Sequence, residues 1–365
     1  MVKKKDGETT KKNYLEGCVI NMSHTIKVAA LTGGKYDPSA RFRVRQLIPA
    51  LLREGIIMDE FIPVISKYPP SQKWLRPLWA IGALTARIPG VIATHRYDVI
   101  FLQRELISTL VTLEPMTKRP RVLDVDDAIF LHRGGKFAER LAQKVELVIC
   151  GNDFIAERFS KWNKNIAVIP TVVDSHRYIP GKGNCTSNSK HVIGWIGTSR
   201  NFNYLYKIES ALERVIKARP EVILKIISDQ RPKFKGKLNG NFKYVKWSPK
   251  TEIADIQSIT IGIMPLGNTD WEKGKCSFKM LQYMSCNIPV VVSPVGMNAQ
   301  ILNESKVGFG VNTLEEWIDA LIYLLDSSEK RKKMGSNGRK LVEAKYSIDA
   351  IIGKLSSCLK MLVSI

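Results

Sequence analysis

The sequence predicts an α/β protein made of two successive doubly wound domains. From residue 26 onward, apolar runs of strand length alternate with segments of helix length. The alternation stops at a polar stretch, KGNCTSNSK over 182–190, and restarts at HVIGWIG over 191–197. A chain of 365 residues with 44% hydrophobic content can bury two cores of ordinary size. The expected organisation is a disordered tail over 1–25, a first domain over 26–181, a linker over 182–190 and a second domain over 191–345. A last helix over 346–365 is expected to cross back to the first domain.

The tail reading rests on residues 1–21, which are polar, and Met22 precedes the first credible strand, where it offers a second start. IKVAAL (26–31) reads as a buried strand, Gly33-Gly34 as a turn, and 39–55 as a helix ending at Gly55. DVIFLQ from 98, RVLDVD (121–126), LVIC (147–150) and IAVIP (166–170) are further strands, separated by helices over 134–145 and 153–162. Their near-continuous apolar character predicts parallel pairing with helices on both faces. The second series comprises helix 203–218, strands 222–228 and 243–246, helix 250–257, strand 259–264, helix 275–286 and strand 289–293.

Composition narrows the function. No unbroken apolar run approaches the roughly 18 residues that span a bilayer, and no secretory signal pattern opens the chain, so a cytoplasmic address is expected. The six cysteines form no CxxC pair and the five histidines no HExxH, so neither a metal site nor a disulfide framework is indicated. The net charge of +22 is spread through both halves and calls for an anionic partner: nucleic acid, a membrane face or a phosphorylated substrate. The basic face of 329–345 lacks the interleaved aromatics of a nucleic-acid surface, so nucleic acid is not the expected partner.

The block GKCSFKMLQYMSCNIPVVVSPVG (274–296) is the most informative. It reads as a lysine-bearing turn, a helix and a buried strand. A helix N-terminus at the edge of such a sheet binds phosphate, and Lys275 and Lys279 lie where they would reach it. Lysines at a helix start are electrostatically misplaced unless an anion binds there.

Gly33-Gly34, VIPTVVD (168–174), GWIGTSRNFNYL (194–205), MPLG (264–267) and the 274–296 block stand in an order that resembles the GT-B glycosyltransferases. The resemblance is to the large retaining group, similar to glycosyltransferase family 4 and the glycosyl transferases group 1. It extends from about residue 26 to the C-terminus. It implies two Rossmann-like domains facing a central cleft, a nucleotide-diphosphate sugar as co-substrate with no separate cofactor or metal, and same-face transfer in which the donor phosphate takes the acceptor proton. Gly197, Ser199, Arg200, Lys275, Lys279 and Gln282 would bind the donor. Relatives commonly carry two glutamates at the positions where Gly274 and Gln282 stand here, so this chain lacks both acids. Gln282 can still bond a ribose hydroxyl.

DVDDAIF (124–130) places three carboxylates at a strand end. A DxD metal motif or a phosphatase DxDxT are alternatives; Ala128 stands where the latter needs threonine, and both leave the second domain unexplained. By the resemblance, Asp126 and Asp127 would face the cleft beside the acceptor hydroxyl or the transferred sugar. Gly33, Gly34, Arg41, Arg43 and Arg104 are acceptor-side candidates, although the spacing of Arg41, Arg43 and Arg45 scatters them around a helix. The segment 69–90 mixes Trp74, Leu78, Trp79 and Ile81 with Lys73, Arg76 and Arg87. It suits either core packing or an anionic membrane interface and a lipid-linked acceptor. The function expected is transfer of a sugar to a glycan, glycolipid or lipid-linked acceptor at the inner face of the cytoplasmic membrane, in polysaccharide or lipopolysaccharide synthesis. A noncatalytic sugar-nucleotide binder, a nucleotide-sugar epimerase and a polyanion-binding protein are the alternatives.

Overall fold

The computed structural model describes residues 25–181, 191–238 and 242–364. The tail expected over 1–25 lies outside these except for Thr25, and the linker expected over 182–190 lies wholly outside them. The first unit contains β1 (Ile26–Leu31), α1 (Pro38–Ala40), a π-helical turn (Arg41–Arg45), α2 (Ile48–Arg53), β2 (Ile56–Phe61), α3 (Arg76–Thr85) and α4 (Ile88–Ala93). It continues through β3 (Val99–Gln103), β4 (Arg121–Val125), α5 (Lys136–Ala142), β5 (Leu147–Cys150), α6 (Asp153–Phe159) and β6 (Ile166–Val168). Its six strands are all parallel, in the order β2-β1-β3-β4-β5-β6. Every residue of β3 and β4 is buried, as expected of strands covered on both faces.

The second unit runs β7 (Val192–Ile196), α7 (Phe202–Lys207), α8 (Glu209–Ala218), β8 (Ile223–Ser228), β9 (Lys243–Lys246), α9 (Glu252–Gln257), β10 (Ile261–Met264), α10 (Asp270–Lys273) and α11 (Phe278–Ser285). Then follow β11 (Val290–Val292), α12 (Met297–Glu304), β12 (Gly308–Gly310), α13 (Leu314–Asp326) and α14 (Ser328–Leu341). Its strands are also all parallel, ordered β12-β11-β10-β7-β8-β9.

In each sheet the chain reverses its direction of travel beside the first strand: between β1 and β3, and between β7 and β10. At such a switch point the connections leave on opposite faces, and a crevice opens at the carboxyl ends of the strands. Gly33, Arg104 and Asp126 follow strand ends of the first sheet, and Gly197 follows β7. The last helix, α15 (Ile348–Met361), packs Ile351, Ile352, Leu355 and Leu359 into the core of the first sheet. Ser347 caps it, accepting from the Ala350 N–H at 3.1 Å.

Three expectations are corrected. The helix expected over 275–286 begins only at Phe278, because Ser277 adopts a left-handed conformation (φ 51°), and Lys275 lies in the preceding turn. The edge strand β2, sequence IIMDEF, was not foreseen: its acidic residues break the apolar run, and Glu60 instead serves Arg45 and Thr32. Residues Lys73–Arg96 form a 24-residue helical stretch long and apolar enough to cross a membrane by length and composition, which a search for unbroken apolar runs passes over. Turn residues Ala86 and Arg87 divide it.

Candidate active site

On the second sheet, β7 delivers Trp195 to the core and Gly197 to the crevice. A Cβ at Gly197 would meet Lys279 Cε at 2.8 Å, so glycine lets the lysine lie across the strand end. Lys279 Nζ stands 5.1 Å from the Trp195 ring. Burial first, and then the charge of Lys275, draw the Lys279 ammonium down to about 7. Lys275 Nζ lies 5.2 Å over the Trp271 ring. The first turn of α11 has no side-chain cap, because the Ser277 hydroxyl donates to Asn298 Oδ1 (2.6 Å) instead. Two ammonium groups and an uncapped helix start form an arrangement suited to a diphosphate. Ser199 is held in place by Asp229, which accepts from its N–H (2.6 Å) and hydroxyl (2.9 Å). Arg200 is exposed and lies 5.7 Å over the ring of Tyr68 from the first unit.

On the first sheet, Arg104 sits in a left-handed conformation (φ 60°) after β3, nearly buried. Its Nη1 lies 3.1 Å from Asp127 Oδ2 and 4.0 Å from Asp126 Oδ1, and its Nε 3.8 Å from Glu105. Burial alone would lower the Arg104 pKa, but Glu105, Asp127 and Asp126 outweigh it and raise it above the ordinary value. The Asp127 side chain, 29% exposed, is pushed up to about 6 by burial and by Asp126, against the pull of Arg104, Lys275 and Lys67. Asp127 thus feels Lys275 from across the crevice, and the two strand edges converge on one place. Cys276 Sγ, donating to the Asp126 carbonyl at 3.1 Å, ties the edges together.

Four candidate residues are placed elsewhere than expected. Arg43 is buried and paired with Asp124, and also donates to the Ile169 carbonyl at 2.7 Å; it is a core strut, not an acceptor contact. Arg41 pairs with Glu252 of the second unit at 2.6 Å, so it joins the units rather than facing an acceptor. Gln282, expected at a ribose, is 3% exposed and donates to Glu252 Oε1 (2.8 Å) and the Tyr178 hydroxyl (3.2 Å). Its amide is committed to the same interdomain cluster. Gly34 accepts from Arg45 and lies at the margin, while Gly33 packs against Lys67. Gly274 has a steric reason to lack an acid: a Cβ there would meet Ala128 Cβ at 2.6 Å and its backbone N at 2.9 Å. The loop carrying Asp126 and Asp127 fills that space.

Lys67 was missed. It is fully buried, 3.4 Å from Asp37, and its ammonium has no hydrogen-bond partner among the described residues. Burial and Arg104 lower its pKa. Its sequence context, ISKYPP, is an irregular proline-bounded loop with no period to place it, so only the fold brings it beside Asp126 and Asp127. Glu252 and Tyr178 were missed for the same reason: each acts through a partner distant in sequence.

Residues 190–327 match the sequence model of the family described as glycosyl transferases group 1. Among solved structures, sucrose-phosphate synthase of Thermosynechococcus elongatus is 15% identical, with 93% of this chain and 99% of that one aligned at a TM-score of 0.70. HepE of Anabaena, in complex with UDP and glucose, is 15% identical over 92% and 100% at 0.66. WaaG, a glycosyltransferase involved in lipopolysaccharide biosynthesis, is 11% identical over 91% and 99% at 0.63. No curated protein matches the chain in sequence. Two parallel six-stranded sheets and these alignments give the chain the GT-B fold of those structures, and residues 190–327 of its second unit are similar to the glycosyl transferases group 1 model.

Proposed function

We propose that the protein transfers a sugar, with retention and without a metal, from a nucleoside-diphosphate sugar to a hydroxyl of a glycan, glycolipid or lipid-linked acceptor. The observation that carries this reading is the convergence of Lys275 and Lys279 from one sheet with Asp126, Asp127 and Arg104 from the other. HepE of Anabaena, solved with UDP and with UDP-glucose, supports the choice of donor class. Lys275, Lys279 and Arg200 would hold the diphosphate, and their charge stabilises the leaving group as the glycosidic bond to phosphate breaks. In the same-face reaction the leaving phosphate oxygen takes the acceptor hydroxyl proton as the new carbon–oxygen bond forms. Asp126 and Asp127 then orient the acceptor or the transferred sugar by hydrogen bonds, a role for which Gly274 leaves no side chain on the second unit.

The acceptor is read as lipid-linked, in envelope polysaccharide or lipopolysaccharide synthesis at the cytoplasmic face of a membrane. Trp74 (78% exposed), Leu78 (71%) and Ile81 (63%) project from the 73–85 region among Lys73 and Arg76, which favours an anionic membrane interface over core packing for this segment. One observation favours a noncatalytic binder instead: Gly274 and the committed Gln282 leave the second unit with no acid at the positions where relatives carry them.

A panel of UDP-, GDP-, ADP- and TDP-sugars separates these readings. One donor is expected to raise the melting temperature, and Asp127→Asn should retain that shift while turnover to a lipid-linked acceptor falls about 100-fold. Binding without turnover by the wild type supports the noncatalytic reading, conversion of donor without acceptor supports an epimerase, and no binding of any donor contradicts the proposal.

A further inference from the structure

The segment that joins β2 to α3 turns one charged side chain inward. Ser66 and Tyr68 are exposed, yet Lys67 between them is fully buried. Taking an ammonium out of water is costly unless buried anions need its charge. Three contacts fix it. Its carbonyl accepts from the Ser108 N–H at 3.1 Å, which ties the segment to the chain that follows β3. Its Nζ lies 5.4 Å over the Tyr68 ring and 3.4 Å from Asp37 Oδ2. The last contact passes through the space that Gly33 leaves: a Cβ there would meet Asp37 Oδ2 at 2.2 Å and Lys67 Cε at 2.9 Å.

The groups around it come from the ends of three strands. Lys67 faces Asp37 after β1, Arg104 and Glu105 after β3, and Asp126 after β4. Asp127 in turn faces Asp126, Arg104, Lys67 and, from the second unit, Lys275. The first unit thus brings four carboxylates, Asp37, Glu105, Asp126 and Asp127, together with two cations, Lys67 and Arg104. Arg104 makes one close contact, with Asp127 at 3.1 Å; Glu105 and Asp126 stand at 3.8 and 4.0 Å. Glu105 Oε2 and Asp126 Oδ1 accept no hydrogen bond among the described residues. Buried carboxylate oxygens without donors stay ionised only through nearby positive charge. Burial and Arg104 press Lys67 toward the neutral amine, and Asp37, Glu105 and Asp126 oppose them, so lysine and carboxylates sustain one another's charge.

We propose that Lys67 is a positioning residue for the transfer reaction: its ammonium, joined to Asp37 through the gap at Gly33, is the second cation that keeps the Asp126–Asp127 pair anionic beside Arg104. The inference deepens the proposed function and rests on its reading of Asp126 and Asp127 as the groups that orient the acceptor or the transferred sugar. Lys67 touches neither substrate in this role and acts through the pair.

The test is a pH titration, followed by NMR, of the folded full-length protein containing carbon-13-labelled aspartate. The signals of the pair are assigned by their loss in Asp126→Asn and Asp127→Asn. In the wild type the upper midpoint of the pair is expected at about 6. Removing a cation favours the protonated carboxyl, so Lys67→Met should raise this midpoint, and the acid limb of kcat/KM with it, by about one pH unit. Because that variant strands Asp37 and can unfold the protein, Asp37→Asn is compared with the double variant Asp37→Asn/Lys67→Met. Asparagine can still accept from the Ser39 N–H, as Asp37 Oδ1 does at 3.1 Å. The double variant should titrate about one pH unit above Asp37→Asn. A lysine with a packing role alone would change the melting temperature and leave the midpoint in place. An unchanged midpoint between Asp37→Asn and the double variant overturns the proposal, whatever the single Lys67 variant does. The titration needs no substrate, so the two readings fail separately. A shifted midpoint in a protein that turns over no donor removes the transfer reading and leaves the hold of Lys67 on the pair. An unchanged midpoint in an active enzyme removes the role of Lys67 alone.

Discussion

Burial beside a like charge draws Lys279 and Asp127 toward neutrality from opposite sides, and together they set a pH signature. Burial and Lys275 bring Lys279 down to about 7, while burial and Asp126 bring the Asp127 side of the carboxylate pair up to about 6. A diphosphate prefers the ammonium form, so above pH 7 donor binding must take up a proton, and affinity falls by up to about tenfold per pH unit. Below pH 6, Asp127 becomes protonated and loses the charge that strengthens the hydrogen bonds it accepts. A plot of kcat/KM is therefore expected to peak between about 6 and 7 and fall on both sides. Lys279→Arg, charged at every accessible pH, should remove the alkaline fall in donor affinity measured by calorimetry; persistence of that fall would show that another group causes it. The sequence singles out the two lysines because charge at an expected helix start breaks a local rule; the structure puts Lys279 in the first turn of α11 and Lys275 in the turn before it. The roles of Arg41, Arg43 and Gln282 were not, because their partners Glu252, Asp124 and Tyr178 are joined to them only by the fold.

Among the elements, the buried parallel strands were readable because two covered faces demand unbroken apolar runs, and β1, β3, β4, β5 and β7 have them. The edge strand β2 was hidden by Asp59 and Glu60, which an edge tolerates and a central strand does not. α3 defeats pattern reading differently: Ala83 is its one fully buried residue, and most of its apolar side chains do not enter the core. Trp79 anchors it by donating to the Ser66 carbonyl at 3.0 Å, while Leu78 and Ile81, with Trp74 in the turn just before the helix, remain outside. Membrane docking by this element predicts co-sedimentation with vesicles containing phosphatidylglycerol, weakened by salt as Lys73 and Arg76 are screened. Replacing Trp74, Leu78 and Ile81 together by glutamate should abolish sedimentation and leave nucleotide affinity unchanged. Sedimentation equal to the wild type would exclude α3 as the docking element.

At the scale of the whole molecule, two sheets alone would leave a crevice of undefined width; three features of the chain define it. The Arg41–Glu252 pair with Tyr178 and Gln282 joins the units behind the site, the Gly274–Ala128 contact joins them at its floor, and α15 returns to the first core. The two-unit architecture was legible from the alternation and its restart, and α15 from the signal at Tyr346-Ser347. The width of the crevice was not, because it depends on what a missing side chain at Gly274 permits. The central claim is that this crevice holds a nucleoside diphosphate on Lys275 and Lys279. It is tested most directly by calorimetric titration of the wild type and the Lys275→Ala/Lys279→Ala double variant with the donor nucleotide chosen by thermal shift. Each lost charge-assisted contact is worth about 1.5–3 kcal/mol, so the account predicts at least a hundredfold weaker binding in a variant that melts as the wild type does. Equal affinity in the two proteins would contradict it.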